Sequence, residues 1–297
     1  MKRVVALALV LVLALGLAAC VNMQRKVAEL DPDEVARATA RVKYIAHRGY
    51  CLSERDGVTV TLGENTEASF RNAAANPNFW GIETDVWQTK DGLLVCMHDK
   101  DAVEGIADVH AADSADVLSR PLRKAAGYYA PTFQTYLDVC REGGKVAVVE
   151  LKDVAMSEAC MDAVLDAIRR SGVRAVVISF FLNKLEYVRS RDDTIECMLL
   201  FHKQWKKKYR QAYGTTTTLE TMLERVREWR MGVCVETGYL YDNRDKGWVE
   251  AFHRAGLAVN TWTVDDPYRA IYDATALGVD CVISNLDMGA LVAAALQ

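Results

Sequence analysis

Three carboxylates stand where carboxylates are costly. Glu83 and Asp85 sit two residues apart inside an otherwise apolar run, and Glu150 closes another such run with Lys152 two residues on. In an extended strand residues i and i+2 face the same side, so each pair presents both side chains to one surface. Carboxylates aimed into one mouth repel and raise one another's pKa unless a cation lies between them. Three hard oxygen donors with room for water suit one divalent cation, Mg²⁺ or Ca²⁺, better than zinc. His47 and His98 each end a short apolar run, and an imidazole titrating near ~6.5 can serve as acid or base at working pH. Arg48 and Lys152 carry the charges that would neutralise a phosphate, one as a planar fork and the other as a point charge. Trp262 ends a further run.

These residues need a frame that brings strand ends together. Short β-rich runs occur at Tyr44–His47, Ile82–Trp87, Val146–Leu151, Ala175–Ser179, Ile195–Phe201, Gly232–Glu236, Ala258–Thr263 and Cys281–Ser284. Several are continuous Val/Ile runs without alternation, the pattern of parallel strands covered on both faces. Helix signals fill the gaps. Ser157 precedes apolar Met161, Val164, Leu165 and Ile168, with Gly172 as a stop; Thr217 and Glu220 form a capping box; Asp266-Pro267 starts a helix closed by Gly278. Eight alternations of strand and helix predict an α/β fold, a (β/α)8 TIM barrel, whose chemistry gathers at the C-terminal strand ends. Asp91-Gly92 predicts a hairpin leading into an extra strand at Leu93–Met97. Lys100 to Tyr129 lacks clean periodicity and reads as a small excursion over the barrel mouth. Lys206-Lys207-Lys208 reads as a solvated surface loop, and His110, His202 and His253 as bystanders.

The order of motifs is more specific than any one of them. His47-Arg48-Gly49, Glu64-Asn65-Thr66, Gly81-Ile82-Glu83-Thr84-Asp85-Val86, Thr89-Lys90-Asp91-Gly92 and His98-Asp99 resemble, in that order, the signature of the glycerophosphodiester phosphodiesterase family. Pro131-Thr132-Phe133, Glu150-Leu151-Lys152, Ser179-Phe180, Asn260-Thr261-Trp262-Thr263-Val264 and Gly278-Val279-Asp280 continue the resemblance, from about Tyr44 to Leu286. It implies His47 and His98 as general acid and base, Glu83, Asp85 and Glu150 as cation ligands, Arg48 and Lys152 on the phosphate, and Trp262 lining the alcohol pocket. Glu64 and Asn65 would hold the loop beside the site. The implied reaction releases glycerol 3-phosphate and an alcohol through a cyclic phosphate. Two segments depart from the pattern: a longer loop from Tyr50 to Gly63, and Lys100-Asp101-Ala102-Val103 in place of Leu-x-Arg-Thr after His98-Asp99. Both border the alcohol side and leave the phosphoryl chemistry alone.

Residues 1–19 read as a leader: Lys2 and Arg3 precede an apolar run too short for a comfortable span, ending on Leu17-Ala18-Ala19-Cys20. That sequence resembles the bacterial lipobox, which implies a lipid on Cys20 and an extracytoplasmic protein anchored to the membrane of a cell envelope. Residues 20–42 read as a tether ending in a short helix, and 43–297 as the barrel. A net charge of −4 gives no global attraction for nucleic acid, and the family resemblance implies a small-molecule phosphodiester as the partner. Of the eight cysteines, Cys20 is the expected lipid site, and Cys96, Cys197, Cys234 and Cys281 lie in apolar runs and read as buried small hydrophobes; no CxxC or Cys/His spacing suggests zinc, and a disulfide framework is not expected. Two rival functions share the scaffold: a lysophospholipase D-like enzyme acting on lyso-lipids, and a non-catalytic binding lipoprotein.

Overall fold

The computed structural model describes residues 22–55 and 57–297. The expected leader and Cys20 lie outside the described residues. Among the described residues no helix is long and apolar enough to cross a membrane.

Eight parallel strands close into a barrel. In chain order the strands are β1 (Lys43–Ala46), β2 (Leu52–Arg55), β3 (Val58–Thr61), β4 (Phe79–Gln88), β5 (Leu94–Cys96), β6 (Pro121–Leu122), β7 (Ala125–Tyr129), β8 (Val146–Leu151), β9 (Ala175–Ser179), β10 (Glu196–Phe201), β11 (Gly232–Glu236), β12 (Val259–Trp262) and β13 (Cys281–Ser284). The large sheet runs β1-β13-β12-β11-β10-β9-β8-β4, and β1 pairs with β4 to close it. Every residue of β8 is buried, as its unbroken apolar run requires. Ile45, Val148, Ile178, Met198, Leu200, Cys234 and Ile283 belong to the cluster that fills the barrel, while the larger cluster lies between strands and helices. The fold is the TIM barrel that the alternation predicts.

Helix Glu158–Ser171 is capped by Ser157 and stopped by Gly172 at φ +67°, and helix Pro267–Thr275 is capped by Asp266. The third expected start shifts by one residue. Helix Leu219–Glu228 is capped by Thr218, whose hydroxyl accepts from the Thr221 amide, and not by Thr217 with Glu220. Four consecutive threonines offer equivalent caps, and the burial of Met222, Leu223 and Val226 selects among them.

The segment read as a tether is helical over 22–28 and again over Pro32–Arg41. Val35 and Ala38 of the second helix are buried in the outer core, and Lys26 donates to the Tyr241 hydroxyl, so this segment lies on the barrel wall. The Asp91-Gly92 hairpin forms, with Val86 opposite Cys96 and Gln88 opposite Leu94. The excursion after it holds a short helix (Ser114–Ser119) and the β6–β7 hairpin around its own small core, including Met97, Val103, Val117 and Leu122. The long loop after His47-Arg48-Gly49 carries a second hairpin, β2–β3. Among the described residues the seven cysteines are free thiols, and six of them are buried.

Candidate active site

Register places the carboxylates. β4 and β8 are parallel neighbours with Asp85 directly opposite Glu150, and Glu83 lies two residues earlier on the same face. All three are buried, and one oxygen of each lies within 4.8 Å of the others. Two ligands on a hard cation at 2.3–2.6 Å stand at most about 5 Å apart, so the donor set fits one divalent cation. Burial, then the charges of Asp85 and Glu150, pushes Glu83 well above the usual carboxylate range. Glu150 is also raised, by burial above all. Asp85 feels the same burial, but Lys152 and Arg48 outweigh it and hold the carboxyl low. Lys152 Nζ lies 3.0 Å from Asp85 Oδ1 and 3.4 Å from Glu150 Oε2. The first contact is an ion pair without hydrogen-bond alignment, which leaves Asp85 Oδ1 with an unused lone pair in a buried place. That unused lone pair is what a cation ligand needs.

A strained turn supplies the next residues. Arg48 at φ +56° and Gly49 at φ +83° both adopt the left-handed conformation after β1. A Cβ on Gly49 would collide with Ser69, so glycine is required there. The turn aims the Arg48 amide at Glu83 Oε2, 2.9 Å away, and lets the guanidinium bond Glu64 at 2.7 Å. Asn65, itself at φ +53°, donates to Asp85 Oδ2 at 2.9 Å and accepts from the Thr84 hydroxyl at 2.7 Å. Asn65 therefore orients the Asp85 carboxylate through one amide, and Glu64 reaches the site through Arg48.

The imidazoles are fixed by their Nδ1 atoms. Asn285, just after β13, has its amide nitrogen 2.7 Å from Asp265 Oδ2, a carboxylate that can only accept. Its amide oxygen therefore faces His47 Nδ1 at 2.7 Å, so Nδ1 carries the proton and Nε2 keeps its lone pair. His98 Nδ1 lies 2.7 Å from Asp99, which also binds Lys124 at 3.1 Å. His98 is brought beside the carboxylates because the Met97 amide bonds the Asp85 carbonyl at 3.1 Å. Burial lowers the pKa of His47, with Arg48 adding to it, and burial lowers that of His98 against the pull of Asp85.

One cavity of about 210 Å³ is lined by His47, Arg48, Glu83, His98, Glu150, Lys152, Phe180 and Trp262. A larger hollow of about 570 Å³ lies at the other end of the barrel, between Ala38, His253 and Asp280, away from the carboxylates. Size alone therefore does not mark the site. Trp262 is held by its indole N–H donating to the Cys234 carbonyl at 3.1 Å, and its ring meets Phe180 at 5.5 Å and His202 at 6.0 Å. Asn285, Asp265, His202 and Lys208 are the site neighbours that sequence reasoning missed. His202, which the sequence marks as a bystander, packs against Phe180 and Trp262, and the lysine run is not a loop: it lies on helix Trp205–Tyr213, with Lys208 over Phe180. His110 and His253 do stand apart, paired with Asp153 and Asp280.

A TIM barrel with buried carboxylates, two oriented imidazoles and two cations at its C-terminal mouth defines a phosphodiesterase class. Residues 47–286 match the family described as glycerophosphoryl diester phosphodiesterases, and the chain belongs to that family as an enzyme of that activity. It is 26% identical over 259 residues to the probable glycerophosphodiester phosphodiesterase 2 of Mycobacterium tuberculosis, covering 82% of this chain and 90% of that one. Its fold is similar to a glycerophosphodiester phosphodiesterase of Parabacteroides distasonis, with a TM-score of 0.67, 21% identity and coverage of 86% and 99%. It is likewise similar to an Oleispira antarctica phosphodiesterase solved with the product sn-glycerol-3-phosphate, with a TM-score of 0.68, 19% identity and coverage of 87% and 98%.

Proposed function

We propose that this enzyme hydrolyses glycerophosphodiesters to glycerol 3-phosphate and an alcohol, using His47 and His98 for proton transfer and one divalent cation, Mg²⁺ or Ca²⁺, on Glu83, Asp85 and Glu150. The observation that carries this reading is that both imidazoles line the same cavity as Glu83 and Glu150. The cation, when bound, neutralises charge on the phosphoryl oxygens. Arg48 and Lys152 hold the phosphate. One imidazole accepts the proton of the glycerol hydroxyl next to the phosphoester as that oxygen bonds to phosphorus. The other donates a proton to the alcohol oxygen as its bond to phosphorus breaks. Water then opens the cyclic phosphate with the two proton roles exchanged, giving glycerol 3-phosphate. Trp262 walls the alcohol side.

The product bound to the Oleispira antarctica protein supports the same product here. A panel of glycerophosphodiesters assayed for glycerol 3-phosphate, with metal and with chelator, tests the proposal. Turnover that chelator abolishes is expected, and no turnover of any member with metal supplied would overturn it. We further propose a lipid anchor on Cys20 that holds the enzyme at the extracytoplasmic membrane surface of a bacterial envelope. Cys20→Ala should move the expressed protein from membranes to the soluble fraction, and an unchanged distribution would refute the anchor.

A further inference from the structure

The geometry points to a second anion-binding position beside the phosphate, formed by Lys208 over Phe180, which selects glycerophosphodiesters whose alcohol carries its own phosphate or carboxylate. The inference rests on the phosphodiesterase reading of the same cavity.

Helix Trp205–Tyr213 follows β10 at the barrel mouth. Residues 197–219 contain Lys203, Lys206, Lys207, Lys208 and Arg210 and no Asp or Glu. Among the described residues none of these five cations has a carboxylate within ion-pair distance. A run of exposed lysines is ordinarily a solvated face, and Lys206 and Lys207 fit that description. Lys208 does not. It is half-buried, with its Nζ 5.2 Å from the Phe180 ring centre and 5.0 Å from that of Phe181. Phe180 lines the catalytic cavity and packs edge-on against Trp262 and His202. The ammonium therefore projects over the wall of the site. Burial draws its pKa below the ordinary lysine value, against the pull of Glu150, as expected of a cation short of a counter-ion.

Two consequences follow for the alcohol. An aromatic wall of this kind could have received a quaternary ammonium through cation–π attraction, but the chain's own ammonium already occupies the Phe180 face and would repel a second cation. The phosphodiester monoanion, for its part, already has Arg48 and Lys152. Lys208 is an additional positive charge at partly desolvated depth, and an anion on the alcohol completes it.

The test compares kcat/KM on three probes with metal supplied. These are glycerophosphocholine, with a cationic alcohol; glycerophosphoglycerol, with a neutral one; and bis(glycerophospho)glycerol, whose leaving alcohol retains a phosphodiester. The parent should prefer the third over the first, and Lys208→Gln should reduce that ratio by about tenfold, the worth of one partly screened charge pair. Lys207→Gln, a change on the solvated face, should leave the ratio unaltered. Raising ionic strength on the parent should weaken the anionic substrate selectively, a reading independent of how the variant folds. No preference in the parent, or equal loss on all three probes in Lys208→Gln, would overturn the inference while leaving the phosphodiesterase reading intact. No turnover of any probe would remove both.

Discussion

Replacing Glu150 by Gln should abolish activity and yet stabilise the metal-free protein at alkaline pH. Glu150 lies within 4.8 Å of both Glu83 and Asp85 and 3.4 Å from Lys152. At an effective dielectric constant near 20, each carboxylate repels an ionised Glu150 by roughly 3.5 kcal/mol, while Lys152 attracts it by about 5 kcal/mol. With Glu83 kept neutral by its own raised pKa, Asp85 and Lys152 alone favour ionisation by about 1.5 kcal/mol, and the several kcal/mol it costs to bury the charge outweighs this by about 2 kcal/mol. Glutamine keeps the shape and removes the charge, so the variant in chelator should gain about 2 kcal/mol, or roughly 4–8 °C in Tm for a domain of this size. The sign follows from the raised pKa of Glu150. Protonation of the folded group favours folding fully below its unfolded value near ~4.3, and this contribution is lost as pH rises through the higher folded value. The gain should accordingly be present at about pH 8.5 and vanish below about pH 4, where Glu150 is protonated in the folded and the unfolded parent alike. Divalent cation should then raise the parent's Tm and leave the variant's almost unchanged. Thermal unfolding with chelator and with Mg²⁺ or Ca²⁺ at the two pH values measures all of this. If the variant melts below the parent in chelator at the higher pH, burial does not oppose the charge on Glu150 and the reasoning fails.

His98→Ala or His47→Ala should lower kcat by about 10²–10⁴-fold while the metal-induced rise in Tm persists, and loss of both together would mean the imidazoles are structural. Asn65→Ala removes bonds to Asp85 and Thr84 and puts alanine at φ +53°, so it should destabilise by about 2–3 kcal/mol and weaken metal binding 10- to 100-fold. Thermal unfolding and metal titration check the two effects, and unchanged affinity would sever Asn65 from the cation site. Asn285→Asp places a carboxylate at His47 Nδ1, favours the imidazolium and should move the limb of the kcat/KM profile that His47 governs upward by about one pH unit, the acid limb with His47 as base and the alkaline limb with His47 as acid. A fall in rate with the limb unmoved would show that Asn285 serves shape alone.

The barrel was readable because its strands are buried on both faces. Val146–Leu151 has no polar residue before Glu150, so both the strand and the exceptional charge stand out. The carboxylates and imidazoles were readable for the same reason: each interrupts or ends an apolar run. Other residues carry no such contrast. Asn285 and Asp265 sit in polar turns after β13 and β12, where Asn and Asp are ordinary turn formers, and only closure of the barrel brings them to His47. Lys208 was lost in a lysine run because helical phase, not composition, turns one ammonium inward while Lys206 and Lys207 face solvent. The Thr218 cap was ambiguous within four threonines until packing chose the register.

Arg48 and Lys152, proposed to hold the phosphate, stand against carboxylates, and the charges show how the two placements are compatible. Glu83, Asp85 and Glu150 fully ionised carry three negative charges against the two positive charges of Arg48 and Lys152. Glu64, the other partner of Arg48, is 39% exposed and screened by water. At a pH above the raised values of Glu83 and Glu150, where all three carboxyls are ionised, the five inner groups therefore sum to one negative charge. A divalent cation alone would leave one positive charge, and a phosphodiester monoanion alone would leave two negative ones. The two together leave none, so each favours the other's binding in a site where uncompensated charge is costly. Arg48 Nε, unbonded and 3.6 Å from Asp85 Oδ2, and Asp85 Oδ1, without an aligned donor, are the atoms already free to exchange partners when that happens. On this count Lys208 is not needed for the phosphodiester, so its charge remains available to the alcohol.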